Sequence, residues 1–127
     1  MGEEGLEARR VLDAGALIAI ERGDPRIRAT LRGPGAHIIP APVLAQVWRG
    51  GARQARLAKL LKDESTTVDE LDEASAQAVG ALLARSGSSD IVDASVVLSA
   101  RRHHALVLTA DADDLRRIDP QVALEEI

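Results

Sequence analysis

Arg9-Arg-Val-Leu-Asp13-Ala-Gly-Ala-Leu-Ile-Ala-Ile-Glu-Arg22 is the stretch whose reading decides the fold. Arg9 to Leu12 is short and ends on apolar residues, so it reads as a buried strand. Ala14 to Arg22 keeps apolar residues in step with helical turns and reads as a helix. Asp13 therefore stands at the junction, where a strand hands the chain to a helix. The same order returns near the other end. Ala105 to Thr109 is an apolar strand, Asp111 follows it by two residues, and Ala112 to Arg117 makes a short helix.

Working outward from these two units, Pro25 to Arg32 reads as a second helical piece, ended by Gly33-Pro34-Gly35. His37 to Ile39 is a strand, and Pro42 opens a helix to about Arg49, because a first-turn position needs no N–H. Gly50-Gly51 breaks the chain before an amphipathic helix, Ala52 to Lys62, with Leu57, Leu60 and Leu61 on its apolar side. Thr66 to Val68 is strand-like. Asp69 or Asp72 caps a helix through about Arg85, Ser88 or Ser89 caps another through Arg102, and a last strand lies near Val122 to Glu125. Strands that alternate with helices, each strand short and continuously apolar, predict a three-layer α/β/α architecture: a short parallel sheet flanked by helices.

Composition agrees and excludes a good deal. At 127 residues, 46% of them hydrophobic, the chain is sized for one core, and a single domain over 1–127 is expected, with residues 1–8 as a flexible lead-in. Without cysteine there is no disulfide scaffold, thiol nucleophile or iron–sulfur site. No apolar run is long enough to span a bilayer, so no membrane partner is expected and a cytoplasmic location is the default. Trp48 is the sole aromatic residue, which leaves almost nothing for base stacking. The formal net charge of -4 argues against a passive nucleic-acid binder, and the charge reads as mixed along the whole length.

In a parallel sheet, ligands lie at the carboxyl ends of the strands. Asp13 and Asp111 both fall on that edge. Asp90 and Asp93 are three apart in a first helical turn and share a face, with Asp114 placed to join them. Each acid alone has a plain structural explanation as a helix cap or first-turn residue. Asp93 has the weakest, since it lies in the apolar run Ile91 to Leu98, and a lone buried carboxylate is costly. Clustered carboxylates need a cation, and a set of oxygen donors without thiolate or imidazole favours Mg²⁺ or Mn²⁺. Metal sites of that kind serve phosphoryl chemistry with an activated water.

Three segments resemble the PIN domain, the fold of the VapC-type ribonuclease toxins of bacterial toxin–antitoxin modules. They are Val-Leu-Asp13-Ala-Gly-Ala-Leu-Ile-Ala, Asp90-Ile-Val-Asp93-Ala-Ser-Val-Val-Leu-Ser-Ala, and Val-Leu-Thr109-Ala-Asp111-Ala-Asp-Asp114-Leu, in this order over nearly the whole chain. The resemblance implies a Mg²⁺- or Mn²⁺-dependent endoribonuclease with Asp13, Asp93 and Asp111 as metal ligands, Asp90 beside them, Asp114 as an outer member, and Thr109 orienting a carboxylate or a metal-bound water. It also implies an RNA substrate, a small VapB-like antitoxin as partner, and a homodimer. The family's second acid, usually a Glu on the helix after the second strand, is replaced here by Gln46. Glutamine keeps a carbonyl oxygen but brings no charge and cannot act as a general base.

Arg49, Arg53 and Arg56, at helical spacing around the Gly-Gly break, are candidates for an RNA path, and Arg101 to His104 form a second basic cluster. His103 and His104 fall at the far end of their helix from Asp93 and are not taken as ligands, and His37 reads as a core or edge residue. Ala16, Leu17, Ile20, Leu44, Val47 and Trp48 are candidate interface residues, Trp48 foremost. The competing reading is a PIN-fold module, catalytically weakened by Gln46, that binds RNA or an antitoxin. A receiver-like phosphoacceptor domain needs a lysine near the acids. It fits poorly, since Lys59 and Lys62 are the only lysines and both lie on the amphipathic helix.

Overall fold

A computed structural model describes residues 9–127, so the lead-in expected at 1–8 lies outside the described residues. The strands are β1 (Arg10–Leu12), β2 (His37–Pro40), β3 (Thr66–Asp69), β4 (Leu106–Thr109) and β5 (Leu124–Glu126). The helices are α1 (Ala14–Arg22), α2 (Pro25–Leu31), α3 (Ala41–Val47), α4 (Ala55–Leu61), α5 (Glu73–Ser86), α6 (Ile91–His103) and α7 (Ala112–Ile118). The five strands form one parallel sheet in the order β3-β2-β1-β4-β5. This is the expected α/β fold.

Strand order turns back at β1, the first strand in the chain and the middle one in space. The register pairs Leu12 with Leu108 and Val11 with Val107, so β1 and β4 end side by side. Crossovers of one hand put α1 to α4 on one face of the sheet and α5 to α7 on the other. Within each layer the packing agrees, since α1 touches α2, α3 and α4 while α6 touches α5 and α7, and α3 also meets α6. Val11, Leu12, Leu17, Ile39, Val96, Val97, Val107 and Leu108, all fully buried, fill the space between. An almost entirely aliphatic core suits short strands, where branched side chains interlock at close distance.

Several boundaries differ from the sequence reading. The helix expected from Pro42 to Arg49 spans Ala41–Val47, because Trp48 takes an extended backbone. Ala52 to Lys62 is divided into a 3-10 turn, Ala52–Gln54, and α4. Asp72 caps α5, while Asp69 pairs with Pro40 as the last residue of β3. Asp90, not Ser88 or Ser89, caps α6 by accepting from the Asp93 amide at 3.0 Å. Its carboxylate is a stronger acceptor than a hydroxyl and also neutralises the positive end of the helix.

The even charge distribution is overturned as well. Residues 22–62, which include α2, α3 and α4, contain nine Arg or Lys and one acid, a net of +8, which leaves -12 on the rest of the chain. The excess of cations belongs to the α2–α4 stretch and is not mirrored by an acidic layer opposite, since α5, α6 and α7 together carry four Asp or Glu and five Arg.

Candidate functional site

Asp13 follows β1 directly and is 3% exposed. Its Oδ1 accepts from the Ala14 amide at 2.7 Å, and its Oδ2 accepts from the Thr109 hydroxyl at 2.7 Å. Thr109 is the last residue of β4 and has no exposure at all. The same hydroxyl oxygen accepts from the Asp111 amide at 2.8 Å. One threonine thus ties the acid after β1 to the loop after β4. Gly15 permits this closeness: a Cβ there would lie 2.9 Å from the Ala110 Cβ, inside any real contact.

The acids meet at this edge, where α6 points its first turn. Burial pushes Asp13 above the usual carboxylate range, against the hydrogen bonds from Thr109 and Ala14, with the charges of Asp111 and Asp90 adding to the rise. Asp93 is pushed up to about 7, first by burial and then by Asp90, Asp13, Asp114 and Asp111. Asp93 therefore lies in the field of the other four candidate acids, and Asp13 in that of Asp111 and Asp90. Their other commitments differ. Asp90 caps α6, and Asp114 accepts from Arg117 at 3.0 Å. Asp111 stands at the N-terminus of α7 but makes no capping bond with its side chain, so its exposed carboxylate is left for other work.

A divalent cation fits this donor set chemically: oxygen ligands, and a protonation cost that a positive charge would remove. Among the described residues no three carboxylate or imidazole side chains close into a ready cage. Mg²⁺ does not require one, since it keeps several waters and binds through one or two carboxylates.

Gln46 is exposed on α3 and lines a groove of about 410 Å³ with Ala14, Glu21, Arg49, Arg53 and Gln54. The groove begins at Ala14, the neighbour of Asp13. Gln54 was missed in the sequence reading. It is 4% exposed, and its amide uses its full capacity. Nε2 donates to the Glu21 Oε1 at 2.6 Å and to the Val47 carbonyl at 2.9 Å, while Oε1 accepts from the Arg49 and Gly50 amides at 2.8 and 2.9 Å. It shapes the groove wall. Its signal was present, since Gln54 precedes Leu57 by three and Leu61 by seven, a polar residue on the buried stripe.

Other candidates fall elsewhere. Ala16, Leu17 and Ile20 are core, and Leu44 and Val47 pack partly against it; Trp48 alone of that set is exposed, at 39%. His37 is buried in β2. His103 Nε2 sits 2.9 Å from both Asp69 oxygens, and Ser99 donates to Asp69 at 2.8 Å, which clasps α6 to the end of β3 away from the five acids. Arg56 donates to the Glu21 carbonyl at 3.2 Å.

A model of the PIN domain matches residues 10–120. The chain belongs to the PIN domain family. Solved structures similar to this PIN domain include VapBC2 from Rickettsia felis bound to a DNA fragment from their promoter, with 18% identity, TM-score 0.71, and 94% of this chain and 98% of that one covered. FitAB bound to an IR36 DNA fragment has 16% identity and TM-score 0.63, over 92% and 94% of the two chains. FitAcB from Neisseria gonorrhoeae has 19% identity and TM-score 0.58, over 91% and 95%. At these identities the likeness is one of fold. No curated protein shows significant similarity to the chain. No helix among the described residues is long and apolar enough to cross a membrane.

Proposed function

We propose that this PIN domain is a Mg²⁺- or Mn²⁺-dependent endoribonuclease, the toxin of a toxin–antitoxin module, hydrolysing RNA phosphodiester bonds. The observation that carries the reading is the convergence of Asp13, Asp90, Asp93, Asp111 and Asp114 on one sheet edge, where burial first and then the other four carboxylates raise the proton affinity of Asp93. Asp13, Asp93 and Asp111 would hold the ion, with Asp90 and Asp114 adding negative field around it. Bound there, a divalent cation supplies a polarised scissile phosphate and a water of lowered pKa. Thr109 positions Asp13 by donating to its Oδ2, and each carboxylate oxygen keeps acceptor capacity beyond that bond and the one from the Ala14 amide. Arg49 and Arg53 line the groove that leaves the edge, and they would neutralise the substrate's phosphates.

The decisive assay is cleavage of a total-RNA pool in Mn²⁺ or Mg²⁺ beside Asp13→Asn and Asp93→Asn. Cuts that need metal and vanish in both variants support the enzyme; RNA left intact under every condition removes it. A second reading is favoured by Gln46, which stands uncharged and exposed in the groove where the family usually places an acid. On that reading the domain binds RNA or an antitoxin and cuts poorly. Gln46→Glu separates the two, since a large gain in cleavage identifies an impaired site and an unchanged rate shows that glutamine suffices.

A VapB-like antitoxin and a second copy of the chain are the proposed partners, in the cytoplasm, with 1–127 acting as one domain. VapBC2 and FitAB, both named as pairs, support the antitoxin. Trp48 is the natural anchor for either contact, as a large exposed ring beside a groove.

A further inference from the structure

The nine Arg and Lys residues between Arg22 and Lys62 are all exposed. Two grooves open on the layer that carries them. The first holds Arg49 and Arg53, as described above. The second, about 430 Å³, lies between α1, α2 and α4, with Arg28 and Arg32 along one side and Arg56 and Lys59 along the other. Asp63 is the single acid lining it. Among the described residues, none of these four cations pairs with a carboxylate, whereas Arg101, Arg116 and Arg117 of the opposite layer all do. The two grooves adjoin along α1: Glu21 lines the first, and its carbonyl accepts from Arg56 of the second.

An acid-rich chain that leaves four cations unpaired in facing rows maintains a local positive field, and its cost in self-repulsion is recovered only when an anion binds. We infer that the second groove is a binding site for the phosphate backbone of single-stranded RNA, remote from the acidic edge. RNA held there runs along α1, through the first groove and past Trp48, to Asp13. Seven of the nine cations are arginine, whose planar fork matches a phosphate in two bonds. Trp48 stands between Val47 and Arg49, which both line the first groove, and is 39% exposed beside it. An acidic polypeptide is the rival occupant, and the floor disfavours it. Ile20 is 7% exposed, and Leu31 and Leu60 are partly buried against the core, so little apolar area is open to a helix.

This inference rests on RNA being the substrate, and its test separates the two. The intact protein is titrated in EDTA with a labelled single-stranded RNA of about a dozen nucleotides, a typical span for a charged track. Anisotropy is read across a series of salt concentrations. Losing two phosphate contacts in Arg28→Gln/Arg32→Gln lowers the slope of log affinity against log salt by about 1.4, and affinity at low salt falls at least about 10-fold. Arg28→Lys/Arg32→Lys keeps the charge and restores the slope. Both positions are exposed, so the variants should melt with the wild type.

RNA that binds through this pair but is never cut in Mn²⁺ sustains the site and removes the nuclease. RNA that is cut while the glutamine pair matches the wild type in affinity and slope overturns the site and keeps the nuclease. A polyglutamate peptide that loses binding to the glutamine pair, with RNA affinity unchanged, also overturns it and assigns the groove to an acidic polypeptide.

Discussion

Thr109→Val tests the link on which the acidic edge is built. Valine matches threonine in shape, so no cavity opens, and the fully buried position isolates the hydroxyl. That hydroxyl donates to the Asp13 carboxylate at 2.7 Å and accepts from the Asp111 amide at 2.8 Å. A hydrogen bond to a charged group is worth about 1.5–3 kcal/mol and a neutral one about 1 kcal/mol. Burying the extra methyl returns about 0.8 kcal/mol. The net expectation is a loss of about 2–3 kcal/mol at neutral pH, or about 8 °C in Tm for a chain of this size.

The loss has a pH signature. The Thr109 bond favours the ionised form of Asp13, so removing it raises that carboxyl further above its usual range. The deficit is therefore largest where Asp13 is ionised in the wild type, and it contracts as pH falls and the carboxyl takes up its proton. Urea unfolding followed by helical circular dichroism, between pH 4 and 8, measures both quantities. Thr109→Ser keeps the hydroxyl and should cost about 1 kcal/mol at every pH, for the lost methyl alone. A valine variant within about 0.5 kcal/mol of wild type at neutral pH, or a deficit that grows in acid, would refute the reasoning, because the bond would then contribute less than a typical surface contact.

Asp93→Asn should stabilise the metal-free protein at pH 8 by about 1–2 kcal/mol, discounted for solvent screening at a half-buried site, and should flatten the pH profile. The sign follows from a folded-state pKa raised from 3.8 to about 7: the wild type is favoured below about pH 4 and loses that advantage as pH rises through 7. Millimolar Mg²⁺ or Mn²⁺ should raise the wild-type Tm and leave the variant's unchanged, which calorimetry reads directly. Gly15→Ala should lower Tm by several degrees, because its Cβ meets Ala110 at 2.9 Å and pushes α1 off the β4–α7 link; an unshifted melt would show that the link yields freely. His104 closes α6 in the left-handed region at φ 51, so His104→Gly should gain about 0.5–1 kcal/mol in chemical denaturation, and a loss would mean that the imidazole makes a contact worth more than the strain.

Local rules sufficed for most of the fold. Short apolar runs after breakers, Pro42 in a first helical turn and acids after strands are readable because they depend on a few neighbouring residues. The boundaries that moved did so for reasons of competition: Asp90 outcompetes Ser88 and Ser89 for the α6 amides, and Trp48 leaves the helix when Gln54 reaches back to hold the Arg49 and Gly50 amides. Those two contacts are only five and four residues apart, but the bond that buries Gln54 against Glu21 spans 33 residues, and no short window of sequence contains it.

What the sequence by itself determined was the alternation of strand and helix, hence a parallel sheet, and the delivery of Asp13 and Asp111 to one edge of it. Those follow from periodicity and chain order. Only the tertiary structure decided that Thr109 binds Asp13 across 96 residues, that Asp93 is pushed to about 7 by burial and then by four other carboxylates, and that six of the nine cations of residues 22–62 line two adjoining grooves. Each of these depends on distance through space and on burial, which the crossovers and the register of β1 against β4 set, and neither quantity is a property of any residue's neighbours along the chain.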